Sequence, residues 1–268
     1  MSTKGIYTAV SGAMAQNERV NTISNNIANV NTPAFKKSKQ VFNEYLTANE
    51  KLPDVIQVPK IPASIESFYD MQGGDKAYVN TAGTYTDFSQ GTLKSTGNNL
   101  DFAIEGPGFF EVLTPQGVRL TRDGSLKRDV NGRLVTQRGY PVLRSGQQDP
   151  SQRIINLDSH NITVSFDGNV FSGGTNEGQI AVVNTPTKGA IRPVGMNYFA
   201  LRPNFNDKLE PVEEFKIHQG ALEASNVNVV SEMTDLISAS RVFESTQQAI
   251  KAFDAMNAKL VNEVPKLR

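Results

Sequence analysis

Helical periodicity marks both ends of this chain and is missing from the middle. Near the start, Ile6, Val10, Ala13, Val20, Ile27 and Val30 recur at three- and four-residue steps or multiples of them. Near the end, Val229, Met233, Leu236, Ser240, Phe243, Ile250, Phe253, Met256 and Leu260 do the same. Such spacing puts one narrow apolar seam on one face of a helix. Two seams at opposite ends must pair with each other or with copies of themselves. The expected fold is therefore α+β and discontinuous. Residues 1–46 plus 217–268 make a coiled-coil-like helical domain, 47–98 an extended connector with some β structure, and 99–216 an inserted all-β domain.

The first helix is predicted over residues 4–31, because Pro33 disfavours the α conformation in the residue before it. It is rich in Asn, Ser and Thr, which are poor helix formers, so it depends on packing for its order. Pro53, Pro59 and Pro62 break the connector and leave Val55–Val58 as an isolated extended piece. Alternation returns between Ala77 and Phe88. Beyond Asn99, a strand is expected at Phe109–Leu113, and Asp123-Gly124, Asn131-Gly132 and Asp167-Gly168 read as tight hairpin turns. Turn signals at such spacing favour an antiparallel sandwich or barrel. Helix is expected again over 221–262, with Asn228 as N-cap and Glu232 in the first turn. Its seam drifts as a straight 3.6-residue helix would, rather than as a strict heptad. Ser240 and Gln247 interrupt it with polar groups that specify register.

Chemistry is scarce in this sequence. Lys plus Arg and Asp plus Glu number 27 each, and no basic run carries interleaved aromatics, so no nucleic-acid partner is expected. With no cysteine there is no disulfide, zinc–thiolate site or thiol nucleophile. The two histidines, His160 and His218, lie far apart in sequence and suggest no metal site. Glu105 and Glu111 are separated by Gly106 and Gly108, which break the strand a carboxylate pair would need. No Gly-x-Ser-x-Gly elbow or nucleotide-binding glycine loop is present. Neither catalysis, a cofactor nor a small-molecule substrate is expected. No run is long and apolar enough to insert in a membrane, and the first thirty residues lack the build of a cleaved signal peptide.

The most specific string is Ser24-Asn25-Asn26-Ile27-Ala28-Asn29-Val30-Asn31-Thr32-Pro33-Ala34-Phe35-Lys36. Asn side chains donate and accept at once, so Asn25, Asn26 and Asn29 suit cross-linking of packed helices without charge repulsion. A helix C-terminal turn explains the same residues, since Asn tolerates left-handed backbone. The string resembles a signature of the axial proteins of the bacterial flagellum, which build rod and hook, with Ala34 where glycine is usual. Leu222-Glu223-Ala224-Ser225-Asn226-Val227-Asn228 with Glu232-Met233 is similar to the family's start of the C-terminal helix. Leu100-Asp101-Phe102-Ala103-Ile104-Glu105-Gly106-Pro107-Gly108-Phe109-Phe110, continued by Thr121-Arg122-Asp123-Gly124, resembles the first strand of the family's β domain.

This resemblance implies a structural subunit of the basal-body rod. It further implies passage through the flagellar type III export apparatus without a cleaved signal, and assembly with itself and other rod proteins into a tube crossing the periplasm. The opening Gly5-Ile6-Tyr7-Thr8-Ala9-Val10-Ser11-Gly12 looks more like the proximal than the distal rod type, with a distal rod or hook subunit as the alternative. A binding module for glycan or a partner protein is the competing reading from another class. The candidate assembly residues are Ile6, Val10, Ala13, Val20, Asn25, Asn26, Ile27, Asn29, Val30, Val229, Met233, Leu236, Phe243, Ile250 and Phe253.

Overall fold

The structure is a computed structural model that describes residues 4–46, 77–159, 161–203, 208–212 and 214–263. The expectations for Pro53, Pro59, Pro62, Val55–Val58 and His160 lie outside the described residues. Two long helices bracket the fold, α1 (Lys4–Ala28) and α2 (Val229–Glu263). Helix α1 ends earlier than expected because the chain tightens into turns after Ala28. Val30 N–H donates to the Ile27 carbonyl, and Thr32 N–H to the Asn29 carbonyl. Helix α2 starts where Asn228 caps it, its Oδ1 accepting from Val230 N–H at 3.0 Å. Glu232 stands in the first turn, as expected. Residues 221–223, expected as helix, instead form a strand.

The first eight strands are β1 (Ser38–Leu46), β2 (Ala77–Thr86), β3 (Leu93–Ser95), β4 (Phe102–Glu105), β5 (Phe109–Thr114), β6 (Gly117–Thr121), β7 (Leu126–Arg128) and β8 (Leu134–Thr136). There follow β9 (Ile162–Val164), β10 (Asn169–Ser172), β11 (Thr175–Gln179), β12 (Val182–Asn184) and β13 (Ile191–Gly195). The last four are β14 (Tyr198–Leu201), β15 (Glu210–Pro211), β16 (Lys216–Gln219) and β17 (Ala221–Glu223).

The chain divides into two compact units. The first takes α1 as far as Ser24, most of the β1–β2 ribbon, and α2 from Ser231. In α1 a covered row runs through Ile6, Ala9, Ala13, Gln16, Val20 and Ile23, with Ala15 also buried beside it. In α2 it is Glu232, Leu236, Ala239, Phe243, Thr246, Ile250, Phe253 and Asn257. Both rows step three then four without drift, which is the heptad period of coiled-coil contact. The expected 3.6-residue drift of α2 is therefore not what the fold adopts. Glu232 and Ala239 take the inward places expected of Met233 and Ser240, and Met256 stays exposed while Asn257 is half-covered.

In the second unit, Asn25–Ser38 with Thr86–Val230, the strands pair antiparallel throughout, with short 3-10 helices at Pro150–Gln152 and Lys188–Ala190. Its largest sheet runs β13-β14-β6-β5-β12-β15. Phe102, Ile104, Phe110, Val112, Leu126, Leu134, Val142 and Ile155 fill the main core. A smaller cluster gathers Phe109, Leu120, Val183, Ile191 and Phe199. Phe88 packs against it edge-on, 5.6 Å from the Phe109 ring centroid.

Two of the three predicted hairpin turns are present. Gly132 (φ 79) sits between β7 and β8, and Gly168 (φ 82) between β9 and β10. Asp123-Gly124 is not a hairpin turn, because β6 and β7 are not partners. Gly124 is needed there for close approach: a Cβ would overlap the Phe102 carbonyl oxygen, while Phe102 N–H donates to the Gly124 carbonyl at 3.0 Å.

Candidate assembly site: a buried clasp and two open helix faces

The three strings singled out in the sequence converge in the second unit on one buried ion cluster. The first supplies Lys36, the second Glu223, and the third Arg122. Each side chain is at most 5% exposed. Lys36 Nζ donates to Glu223 Oε1 at 2.6 Å and to the Ser89 carbonyl at 2.8 Å. Gly91 N–H donates to the same Glu223 oxygen at 2.8 Å. Arg122 Nη1 reaches Glu223 Oε2 at 3.3 Å and the Ile104 carbonyl at 3.2 Å, and its Nη2 holds the Gly106 carbonyl at 2.6 Å. The guanidinium also lies 5.5 Å from the Phe109 ring centroid.

Burial pushes the Lys36 ammonium and the Arg122 guanidinium below their usual pKa ranges, and Glu223 pulls both back up. A buried carboxylate with charge-assisted donors on both oxygens is costly to make and costlier to break, because removing one partner strands a charge without water.

Backbone bonds sew the two flanking segments together around this cluster. Ala34 N–H donates to the Glu223 carbonyl at 2.8 Å, and Asn226 N–H to the Phe35 carbonyl at 3.4 Å. The Asn226 side chain accepts from Lys37 N–H at 2.7 Å and donates to the Asp87 carbonyl at 2.8 Å. From the β13–β14 hairpin, Asn197 Nδ2 donates to the Pro33 carbonyl at 2.8 Å. Ala34 is buried at a φ of 56°, the left-handed conformation that glycine adopts most cheaply. The one departure from the family signature therefore retains the turn and bears its strain.

The asparagine string is used within the chain. Asn26 is buried and acts as a rung for β1, with Nδ2 donating to the Ser38 carbonyl at 2.9 Å and Oδ1 accepting from Ser38 N–H at 3.0 Å. Asn29 Nδ2 donates to the Asn25 carbonyl at 2.8 Å, and its Oδ1 accepts from Thr32 Oγ1 at 3.2 Å. The Asn25 side chain is exposed.

The helices present a second row of residues away from their covered seams. On α1, Tyr7, Val10, Met14, Asn17, Asn21 and Ser24 are all exposed at three- and four-residue steps. On α2, Val230, Met233, Ile237, Val242 and Met256 are exposed apolar residues, and Val230 is 75% open. Of the sequence-predicted assembly residues, Val10, Asn25 and Met233 are exposed. Ile6, Val20, Ile27, Asn29, Val30, Val229, Leu236, Phe243, Ile250 and Phe253 are half-covered by the chain, while Ala13 and Asn26 are buried.

The remaining polar groups serve the fold. Glu105 Oε2 lies 2.6 Å from His218 Nε2 on the neighbouring strand. Glu111 is buried with Arg153, whose Nη1 donates to its Oε2 at 2.6 Å. The two carboxylates weighed as a pair in the sequence thus have separate, occupied partners. Among the described residues no cluster of three or more His, Cys, Asp or Glu is placed to hold a metal ion. Sequence reasoning quoted Lys36, Arg122 and Glu223 without joining them. Lys36 is the lone charge of its string, but Glu223 shares its string with Glu232, and Arg122 shares its own with Asp101, Glu105 and Asp123, so nothing in the strings marked these three as partners.

A β unit whose flanking segments are stitched together, in a chain that also carries two long helices with open apolar faces, is the build of an assembly subunit. Comparison with known proteins gives that class a name. Residues 218–263 match the family described as "Flagellar basal body rod FlgEFG protein C-terminal". Residues 103–172 match "Flagellar hook protein FlgE/F/G D1 domain", and residues 6–36 match "Flagella basal body rod protein". The flagellar basal-body rod protein FlgG of Borreliella burgdorferi is 34% identical over 266 residues, covering 94% of this chain and 96% of the relative. FlgF of Caulobacter vibrioides is 32% identical over 262 residues, covering 98% of each. The chain belongs to the flagellar basal-body rod protein family.

Proposed function

We propose that this protein is a structural subunit of the bacterial flagellar rod that joins copies of itself and other rod proteins through its terminal helices. The observation that carries the reading is α2: of its residues 229–259 only Glu232 and Ala239 are buried, and five large apolar side chains at its surface lie open. Burying one such side chain contributes roughly 1.5–3 kcal/mol, so a few per helix offset much of the ordering entropy. In this arrangement Val10 and Met233 belong to the outer row that meets neighbours. Ile6, Ala13, Val20, Leu236, Phe243, Ile250 and Phe253 form the inner row that shapes each helix for that contact. The contact is head-to-tail, since a self-complementary one closes into a dimer and stops growth.

The weak helix propensity of α1, with its Asn, Ser and Thr residues, supports export as an unfolded chain through the flagellar type III apparatus without a cleaved signal. The opening Gly5–Gly12 string supports a place in the proximal rod, with the distal rod as the alternative. The test is Met14→Asp combined with Ile237→Asp. The variant is expected to keep its far-ultraviolet circular dichroism yet fail to enter basal bodies and abolish swimming. Normal rods and motility overturn the reading.

A further inference from the structure

We propose that Lys36, Arg122 and Glu223 form a closing lock, in which the segment Pro33–Ser38 docks onto the β unit only after β17 has delivered Glu223. Lys36 and Glu223 stand 187 positions apart, and Arg122 and Glu223 101 apart. Two cations and one anion are buried together, so the first two cannot share that space without the third. The other acceptors around them, the carbonyls of Ser89, Ile104 and Gly106, carry no charge. Asp87 attracts Lys36 only weakly, and its Oδ1 accepts from Ser89 N–H. The backbone stitches from Ala34 and Phe35 also run to residues 223–226, whereas the ties to earlier residues, Asn197 Nδ2 to the Pro33 carbonyl and Asp87 N–H to the Lys37 carbonyl, leave the two buried cations without a counter-charge.

Chains are made from the N-terminus, so everything the lock joins exists before its final piece does. By contrast, the β5–β6 hairpin closes over the two positions between Thr114 and Gly117 and needs nothing downstream. Local pairings form before those that close long loops. The β unit therefore completes in two stages, a sheet first and a docked N-terminal segment last. Until the second stage, the end of α1 has no fixed seat. The argument rests on the cluster alone and holds whether or not the assembly reading does.

The experiment is pulse-labelled and native-state hydrogen exchange on the full-length protein. Its reporters are the Ala34 and Asn226 amides, which bond backbone carbonyls and so report docking rather than the side chain being changed. In refolding wild type, the β5–β6 amides are expected to gain protection in an earlier phase than Ala34 and Asn226. Glu223→Gln is expected to lower protection at both reporters by about 100-fold while β5–β6 protection stays within about three-fold. If that variant fails to fold, Lys36→Met with Arg122→Met and Glu223→Leu decides. With the charges gone, docking protection returns and its lag shortens. Simultaneous protection in wild type, full reporter protection in Glu223→Gln, or an unchanged lag in the neutral triple variant would each overturn the proposal.

Discussion

The β unit and the C-terminal helix solve the same problem in opposite ways. The β unit hides Phe102, Ile104 and Phe110 completely, and even its buried charges have partners inside the chain. Helix α2 is longer than any described strand, yet within residues 229–259 only Glu232 and Ala239 are buried and the rest of its covered row is half-open. One region carries its stability with it, and the other keeps its apolar surface for something else. One part has its apolar side chains packed within the chain, and the other leaves Val230, Met233, Ile237, Val242 and Met256 open.

Five changes break or sharpen that contrast. The largest effect is expected from Phe110→Ala, a full truncation in the main core, which should lower unfolding free energy by about 3–5 kcal/mol in urea titration. Its counterpart Ile237→Asp, on the open face of α2, should stay within about 0.5 kcal/mol of wild type in the same titration. Equal losses at the two sites would erase the distinction.

Lys36→Met tests whether the clasp contributes to the β unit. Glu223 keeps Arg122 and the Gly91 amide but loses its shortest partner, so a loss of about 1–3 kcal/mol is expected by calorimetry. In the other direction, Ala34→Gly relieves a buried left-handed alanine and should raise stability by about 0.5–1 kcal/mol, seen as a higher melting temperature. A lower melting temperature would show that the Ala34 methyl contacts outweigh the strain.

The smallest effect concerns acid. The hydrogen bond from His218 holds the Glu105 carboxyl below its ordinary value of 4.5. The unfolded chain then takes up that proton more readily than the folded one. The pair's contribution is present above about pH 4.5 and lost as pH falls through the depressed folded value. Asp129, held down by Arg133, behaves in the same sense. Glu105→Gln should therefore melt slightly below wild type at neutral pH and show a shallower decline in acid. Parallel melting curves for the two proteins would remove this pair from the ledger.

Much of the plan was legible because it rests on short-range rules. Three- and four-residue spacing marks α1 and α2, and positive-φ dipeptides mark the turns at Gly132 and Gly168. The failures share a cause. Asp123-Gly124 carries a turn dipeptide, but its glycine answers to a carbonyl more than twenty positions away. Residues 221–223 border a helix in sequence and become a strand because Leu93–Ser95 offers an edge. Choosing Ala239 over Ser240 for the seam depends on rotation of the helix, which composition does not encode. Asn26 read equally as a cross-linker or a turn residue, and only the position of Ser38 makes it a rung. For the clasp, every residue was quoted and none of the pairings was visible, since charge pairing across such separations leaves no periodic trace.

The stitch between Ala34 and Glu223 has one more implication, and it concerns how such proteins diversify. Ala34 and Glu223 stand one hydrogen bond apart, so the long stretch of chain between them is closed into a loop. Sequence can be added to that loop while its ends stay joined. Lineages can thus lengthen or ornament it wherever the addition keeps clear of Ser89, Gly91, Ile104, Gly106 and Arg122, which serve the fastening from within. Variation should accumulate elsewhere in the loop, and restraint should concentrate in the few residues that make the link.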